Sequence, residues 1–422
     1  MYKKNEANRL TMVSISLQQR SAMKTLIEFY DERPIENVLA TETFQPEETV
    51  FICPPDVVKS KTITRSLEKY FALRRCSSRL SFVPVSLLDA VKVEKELRQV
   101  LAAHEDCAMD ITGGTDAALF AAGAVSGDTP VFTYSRKRNA FFEIKNAPFA
   151  RNLPCTIRLD AEACFLMAGG ALAPGRADNA ALAGREEQID RLFAVYAAHR
   201  RIWNKQVSYF QKISSASDPD LRAEGSRTLK ADNGMVTANE ELLCDLRDGG
   251  LILDLKIDGD SVSFRFPDET VRFWLRDMGS ALELRVYRAC VTAACFDDVI
   301  LSAVVNWEAD GKKTDAVTNE IDVMAVRGVQ PVFISCKTCE IKTEALNELA
   351  ILRDRFGGKG SRAVIVTSAN ASRGRAVMRH RAAELDIEVI EWNDLRLDQL
   401  IARLRGTRHE SGAALMEAGE EA

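Results

Sequence analysis

Histidine is scarce in this 422-residue chain, with 4 in all, and several familiar signatures are missing. Ten cysteines include a single CxxC, Cys336 to Cys339, but no second pair or suitably spaced histidine follows, which argues against a zinc centre. The glycine-rich junction at 113–114 has neither P-loop nor GxGxxG spacing. Nowhere do 18 apolar residues run together, and the opening MYKKNEANRL has no apolar stretch. A soluble, cytoplasmic protein with reduced thiols and no membrane partner is therefore expected. Excess positive charge is also lacking. A formal net charge of -5 argues against a resting surface that holds nucleic acid by bulk electrostatics.

What is present is concentrated in residues 319–338, NEIDVMAVRGVQPVFISCKT. Glu320 and Asp322 alternate with Ile321 and Val323 at the period of a strand, which predicts both acids on one side and the apolar pair on the other. After a turn at 328–331, Val332, Phe333 and Ile334 read as a second buried strand that delivers Lys337 at its end. An Asp able to hold Mg²⁺ or Mn²⁺, beside a Lys able to steady a water or the scissile phosphate, is the minimum equipment for metal-assisted phosphodiester hydrolysis. Around this hairpin, residues 280–290 read as a helix with Glu283 one step round from its apolar face. Residues 343–356 form an amphipathic helix stopped by Gly357 and Gly358, followed by a strand at 362–367, a helix at 373–385 and a strand at 387–392.

In the front half, AMDITGGTDAALFAAGA (108–124) predicts a strand ending at Ile111 and a helix opening at Asp116. Gly113 and Gly114 let backbone approach a ligand, and the helix N-terminus offers N–H groups to a phosphate. A tight strand-to-helix turn also uses glycine for steric reasons alone. Apolar runs at 12–17, 37–41, 49–53, 80–85 and 130–134, with helices at 18–30, 61–73 and 86–104, predict a parallel sheet wrapped on both faces. In such a sheet the ligand crevice lies at the carboxyl ends of the strands. Gln18, Gln19, Gly113, Gly114, Thr115, Asp116 and Ser135, with the basic trio Arg136, Lys137 and Arg138, fall at those ends.

Between the halves, residues 171–184 read as a boundary loop, 185–214 as one long polar helix, expected to pack on the front domain with a dimer contact as the alternative, and 215–234 as a mobile linker. A helix at 240–246 and a hairpin at 251–266 make a helix-plus-wing unit, read as a structural bridge because it lacks a basic recognition helix.

The rear elements resemble the restriction-endonuclease-like PD-(D/E)xK fold, most sharply in NEID followed by FISCK. That family places Asp or Glu two residues before the Lys, where this chain has Ser335. The resemblance implies that Asp322, Lys337 and Glu283 serve catalysis. Glu344 and Glu348 lie four apart on the following helix, and Glu348 is the preferred replacement carboxylate. Mn²⁺ or Mg²⁺ would be held by Asp322, Glu348 and the backbone carbonyl of Cys336. The front half resembles a CARF domain, with TGGT as its strongest match, although members often carry Lys directly after GGT where this chain has Asp116.

Together the halves resemble the CARF plus PD-(D/E)xK effectors of type III CRISPR systems. The resemblance implies a homodimer that binds a cyclic oligoadenylate, commonly the tetra-adenylate ring, and then cleaves single-stranded or supercoiled DNA, RNA, or both. The expected architecture is α/β throughout: a Rossmann-like CARF domain at 1–170, a helical and winged-helix-like bridge at 171–270, a nuclease-like domain at 271–405 and a disordered tail at 406–422. Two rivals stand beside it. One is a ligand-controlled DNA-binding regulator with an inactive nuclease fold, which Ser335 favours. The other is a metal-independent RNase built on the R-x₄-H spacing of Arg375 and His380.

Overall fold

The computed structural model describes residues 23–173, 179–232, 234–308, 318–358, 360–369 and 375–406. The front sheet contains β1 (Thr25–Phe29), β2 (Glu48–Cys53), β3 (Arg79–Pro84), β4 (Cys107–Asp110), β5 (Val131–Ser135), β6 (Ala140–Lys145) and β7 (Leu153–Pro154), in the order β3-β2-β1-β4-β5-β6-β7. The first five in that order run parallel, and β6 and β7 add an antiparallel edge. β1 and β2 are buried at every position, as strands covered on both faces must be. On one face lie α4 (Ala90–Ala103) and α5 (Asp116–Val125); on the other lie α1 (Leu39–Phe44), α3 (Thr62–Leu73) and α6 (Ala161–Met167), with short α2 (Pro55–Ser60) leading into α3.

Several local readings change. The run at 12–17, together with Gln18 and Gln19, lies outside the described residues. The stretch expected as a helix to residue 30 is instead β1 where it is described. TLIEF suits either period, and burial on both faces selects the strand. The run at 37–41 is helical. Pro34 opens a 3₁₀ turn (Pro34–Asn37), and the Asn37 amide bonds the Asp31 backbone at both its N–H (2.8 Å) and carbonyl (2.7 Å) ahead of α1. The edge strands β6 and β7 were not anticipated.

The bridge contains α7 (Glu186–His199) and α8 (Trp203–Ile213), so the expected single helix breaks between them. These helices do not pack on the front domain. Leu192, Phe193 and Tyr196 share a core with the rear half, and the Arg285 guanidinium lies 4.5 Å from the Phe193 ring centroid. The segment expected as a mobile linker supplies β9 (Arg222–Ser226) and β10 (Thr228–Ala231). β10 pairs with β11 (Gly234–Thr237), while β9 joins β12 (Leu253–Asp258) and β13 (Ser261–Arg265) beside α9 (Glu240–Asp248). Buried Arg272, on α10 (Glu269–Arg276), fastens that segment by donating to the carbonyls of Ala216 and Asp218.

The rear sheet has the order β18-β17-β16-β15-β14-β8. It comprises β8 (Ala171–Leu172), β14 (Asp298–Asn306), β15 (Thr318–Arg327), β16 (Gln330–Lys337), β17 (Arg362–Thr367) and β18 (Ile387–Ile390). β14 escaped the sequence reading because DVILSAVVN is a near-continuous apolar run, whose periodicity does not tell a buried strand from a buried helix. Helix α11 (Ser280–Ala293) covers one face with α14 (Leu397–Arg405), α12 (Thr343–Phe356) covers the other, and α13 (Arg375–Glu384) connects β17 to β18. The core under α12 is continuous with the front domain, where Phe356 meets Phe165 edge-on at 5.3 Å. The tail beyond residue 406 lies outside the described residues. Among the described residues no helix is long and apolar enough to cross a membrane, and all ten cysteines are free.

Candidate active site

β15 and β16 pair from Arg327↔Gln330 up to Val323↔Ile334, and there the ladder stops. Beyond that point a side chain bridges the strands. Asp322 Oδ2 accepts the Cys336 N–H at 2.6 Å and the Ser335 hydroxyl at 3.1 Å, and it lies 3.7 Å from Lys337 Nζ. On the other side, Ser302 of β14 adopts φ 52°, and the β14 to β15 register has no pair between Leu301↔Val323 and Ala303↔Ile321. The alternation expected from the sequence fails here. Ile321 joins the core under α12 and Val323 the core under α11, because this kink rotates the strand at Asp322.

The parted strands leave a small cavity of about 40 Å³, lined among others by Glu320, Asp322, Ser335, Lys337 and Glu348. That is room for an ion or a water, with the substrate left outside. Glu348 comes from α12, and its Oε1 accepts 2.6 Å from Asn319 Nδ2, while Asn319 Oδ1 accepts 2.6 Å from Trp307 Nε1. Glu344 is not among the lining residues. The sequence reading gave neither Asn319 nor Glu320 a role, although NEID contains both.

Glu283 approaches from α11. Asp277 accepts the N–H groups of Gly279 (3.0 Å) and Ser280 (2.7 Å) at the start of that helix. The Glu283 carboxyl folds back so closely that a Cβ on Gly279 would lie 2.1 Å from Oε1. Burial pushes Glu283 up to about 8, and the neighbouring charges of Asp322, Asp277 and Glu320 add to this while Lys337 opposes it. Both effects favour the neutral form of the Glu283 carboxyl. Carboxylate oxygens suit a hard divalent ion, but among the described residues no three acidic, thiol or imidazole groups are gathered closely enough to hold one.

In the front half, β1 and β4 flank the point where the parallel sheet reverses its order, which is where doubly wound sheets bind ligands. Gly113 and Gly114 follow β4 there. Their lack of a side chain is used against β1: a Cβ on Gly113 would lie 2.7 Å from the Phe29 carbonyl oxygen, and one on Gly114, at φ 96°, 2.7 Å from Phe29 Cβ. Thr115 caps α5 by accepting from Ala118 N–H at 3.3 Å, so the cap is Thr115 and Asp116 stands in the first turn. Beneath the turn, buried Asp110 accepts from the Thr112 N–H at 2.8 Å.

The basic trio disperses. Arg136 pairs with buried Glu36 (Nε to Oε1, 3.1 Å), Arg138 lies 5.3 Å from the Phe142 ring centroid, and Lys137 lines a cavity facing the rear half. Ser135 ends β5. On α13, His380 is exposed and lies 3.6 Å from Glu384.

Residues 268–405 match the family model of the Card1-like endonuclease domain. The rear third is thus a Card1-like endonuclease domain. Among solved structures, protein VC1899 from Vibrio cholerae superposes with a TM-score of 0.68 at 18% identity, over 90% of this chain and 96% of that one. Can2 from Sulfobacillus thermosulfidooxidans, solved in complex with cyclic tetra-adenylate, superposes with a TM-score of 0.65 at 14% identity, over 92% and 98% respectively. These likenesses are of fold, and they span both halves and the bridge. No curated protein matches the chain. The α/β architecture expected from the sequence therefore holds, and the cavity described above lies inside the endonuclease domain.

Proposed function

We propose that this chain is a nuclease of type III CRISPR defence, switched on by a cyclic oligoadenylate. The observation that carries this reading is the single cavity lined by Asp322, Lys337 and Glu348 within the Card1-like endonuclease segment. The tetra-adenylate ring is the preferred activator because Can2, similar in fold over both halves, was solved with it. Ser335 is the sequence feature that favours the rival regulator with a dead nuclease fold, and neither the family match nor the similar structures add to it.

In this reading Asp322 and Glu348 would be the acidic ligands of Mn²⁺ or Mg²⁺, and the Cys336 carbonyl would complete the set. The bound ion supplies charge neutralisation at the phosphate and a more acidic water. Asp322 is well suited because Cys336 and Ser335 hold Oδ2 and leave Oδ1 without a hydrogen bond among the described residues. Lys337 orients water or phosphate. Asn319 positions Glu348, and Ser335 serves as a hydrogen-bond donor to Asp322 in place of the family's second carboxylate. Glu283 supports Asp322 from α11. The carboxylates are of the PD-(D/E)xK type with one acid moved onto a helix.

The activator would occupy the carboxyl ends of the front strands, near Gly113, Gly114, Thr115, Asp116 and Ser135, with Arg138 as a further contact. A second copy of the chain suits the exposed apolar side chains Leu88, Val91 and Phe120, 81%, 78% and 75% exposed, on the α4 and α5 side of that turn.

The test measures cutting of labelled single-stranded DNA, RNA and supercoiled plasmid with Mn²⁺, with and without cyclic tetra-adenylate. Cutting should require both and be lost in Lys337→Ala. Unchanged cutting in that variant sinks the residue assignment.

A further inference from the structure

A second cavity, of about 500 Å³, opens between the β5 to β6 turn of the front domain and the edge of the rear sheet remote from Lys337. Its lining is lopsided in charge. Arg136, Lys137, Arg327, Arg362 and Arg405 face it, against one acid, Asp386. Two of these charges are already matched: Arg136 by Glu36 (3.1 Å) and Arg362 by Glu388 (2.7 Å). The others are not. Lys137 and Arg327 are exposed and have no ion-pair partner among the described residues, and Arg405 donates to the carbonyl of Ala293 (3.0 Å), which leaves its charge uncompensated. Arg362 also keeps its Nε buried with no hydrogen-bond partner among the described residues, an expensive state for a cationic donor.

Three unmatched cations and an orphaned donor around one hollow call for an anion with several oxygen acceptors. Apolar side chains complete the lining: Phe296, Val332 and Leu404. A ring and guanidinium planes beside cations suit an aromatic base carried on phosphates. The volume is within the range that holds a small organic ligand, and too small for a duplex. The geometry points to a nucleotide site here, taking a nucleoside polyphosphate at the seam between sensor and nuclease halves. Its lining shares no residue with the strand-end contacts proposed above or with the Asp322 cavity. Because both halves contribute cations, bound ligand would bridge them and resist their relative movement.

Titration calorimetry on the full-length protein tests this with ATP and with inorganic tripolyphosphate as probes. ATP is expected to bind at one site per chain, at least tenfold more tightly than tripolyphosphate, and to weaken by tenfold or more in Arg327→Glu and further in Lys137→Glu/Arg327→Glu. Arg327 is exposed and has no ion-pair partner among the described residues, so its variant should melt as the parent does. ATP should still bind in the presence of saturating cyclic tetra-adenylate. Binding that is unaffected by Arg327→Glu, displaced by the ring, absent, or equal for the two probes overturns the assignment. None of these readouts depends on cleavage.

Discussion

The Cys336 N–H donates to Asp322 Oδ2 across 2.6 Å, so a carboxylate stands where the next rung of the β15 to β16 ladder would be. One residue thus closes the sheet and opens the cavity. Asp322→Asn keeps an acceptor for that N–H and removes the charge. Cleavage should fall about a hundredfold or more while the melting temperature stays near that of the parent. Asp322→Ala should also lose about 1–3 kcal/mol of stability by orphaning the N–H. Equal melting of the two variants would contradict the bridging role.

Glu348 and Glu344 share a helix, but only Glu348 lines the cavity. Glu348→Gln should cut more than tenfold more slowly at limiting Mn²⁺, with part of the loss recovered at high Mn²⁺, and Glu344→Gln should stay within about twofold. Ser335→Asp added to Glu348→Gln restores a carboxylate beside Asp322, so it should regain cutting. Equal effects of the two glutamate changes would remove Glu348 from the metal set.

Gly279→Ala separates site geometry from stability. Its new methyl would meet the flexible end of Glu283 2.1 Å away, and the carboxyl can swing aside. The expected result is a near-parental melting curve with cleavage down severalfold. Parental cleavage would show that Glu283 does not support Asp322.

Glu28 and Asp110 are register partners on neighbouring strands, and both are buried. Burial pushes Asp110 up to about 7, with Glu36 adding to it against the opposing Thr112 hydrogen bonds; burial and Asp110 likewise hold Glu28 well above the usual range. For an acid whose folded pKa is raised, the folded state keeps a proton that the unfolded chain releases. The stability it contributes is full below about 4 and is lost as pH rises through about 7. Asp110→Asn should flatten that decline in denaturant titrations from pH 4 to 8. An unchanged slope would assign it to other groups.

Gly114→Ala places a Cβ 2.7 Å from Phe29 at φ 96°. A loss of about 1–3 kcal/mol is expected, because both strain and overlap with the β1 side chain are introduced. Thermal melting checks it, and a neutral result would mean that the turn relaxes away from β1.

The hairpin that carries Asp322 and Lys337 and the helix that follows it were legible because their signals are local. NEID and FISCK alternate or run apolar at strand length, and TEALNELAILRDRF has a helical stripe ended by two glycines. The same reasoning failed where local signals are shared by two structures. TLIEF fits a helix or a strand, and NVLAT fits either as well; burial on both faces chose the strand for one, while Pro34 and the Asn37 hydrogen bonds chose the helix for the other. The long helix at 185–214 breaks between α7 and α8, and Phe193 and Tyr196 of α7 pack against Trp392, far away in sequence.

By itself the sequence determined the α/β class, the strand that carries Asp322, the strand end that carries Lys337 and the helix that carries Glu348, since residue period and chain direction depend on neighbours a few positions apart. Only the tertiary structure decided that the strands part at Asp322, that Asn319 steers Glu348, and that Arg136 and Lys137 turn toward the rear half. Those outcomes depend on a backbone kink at Ser302 and on partners 14 to 100 residues away, whose positions no local pattern encodes.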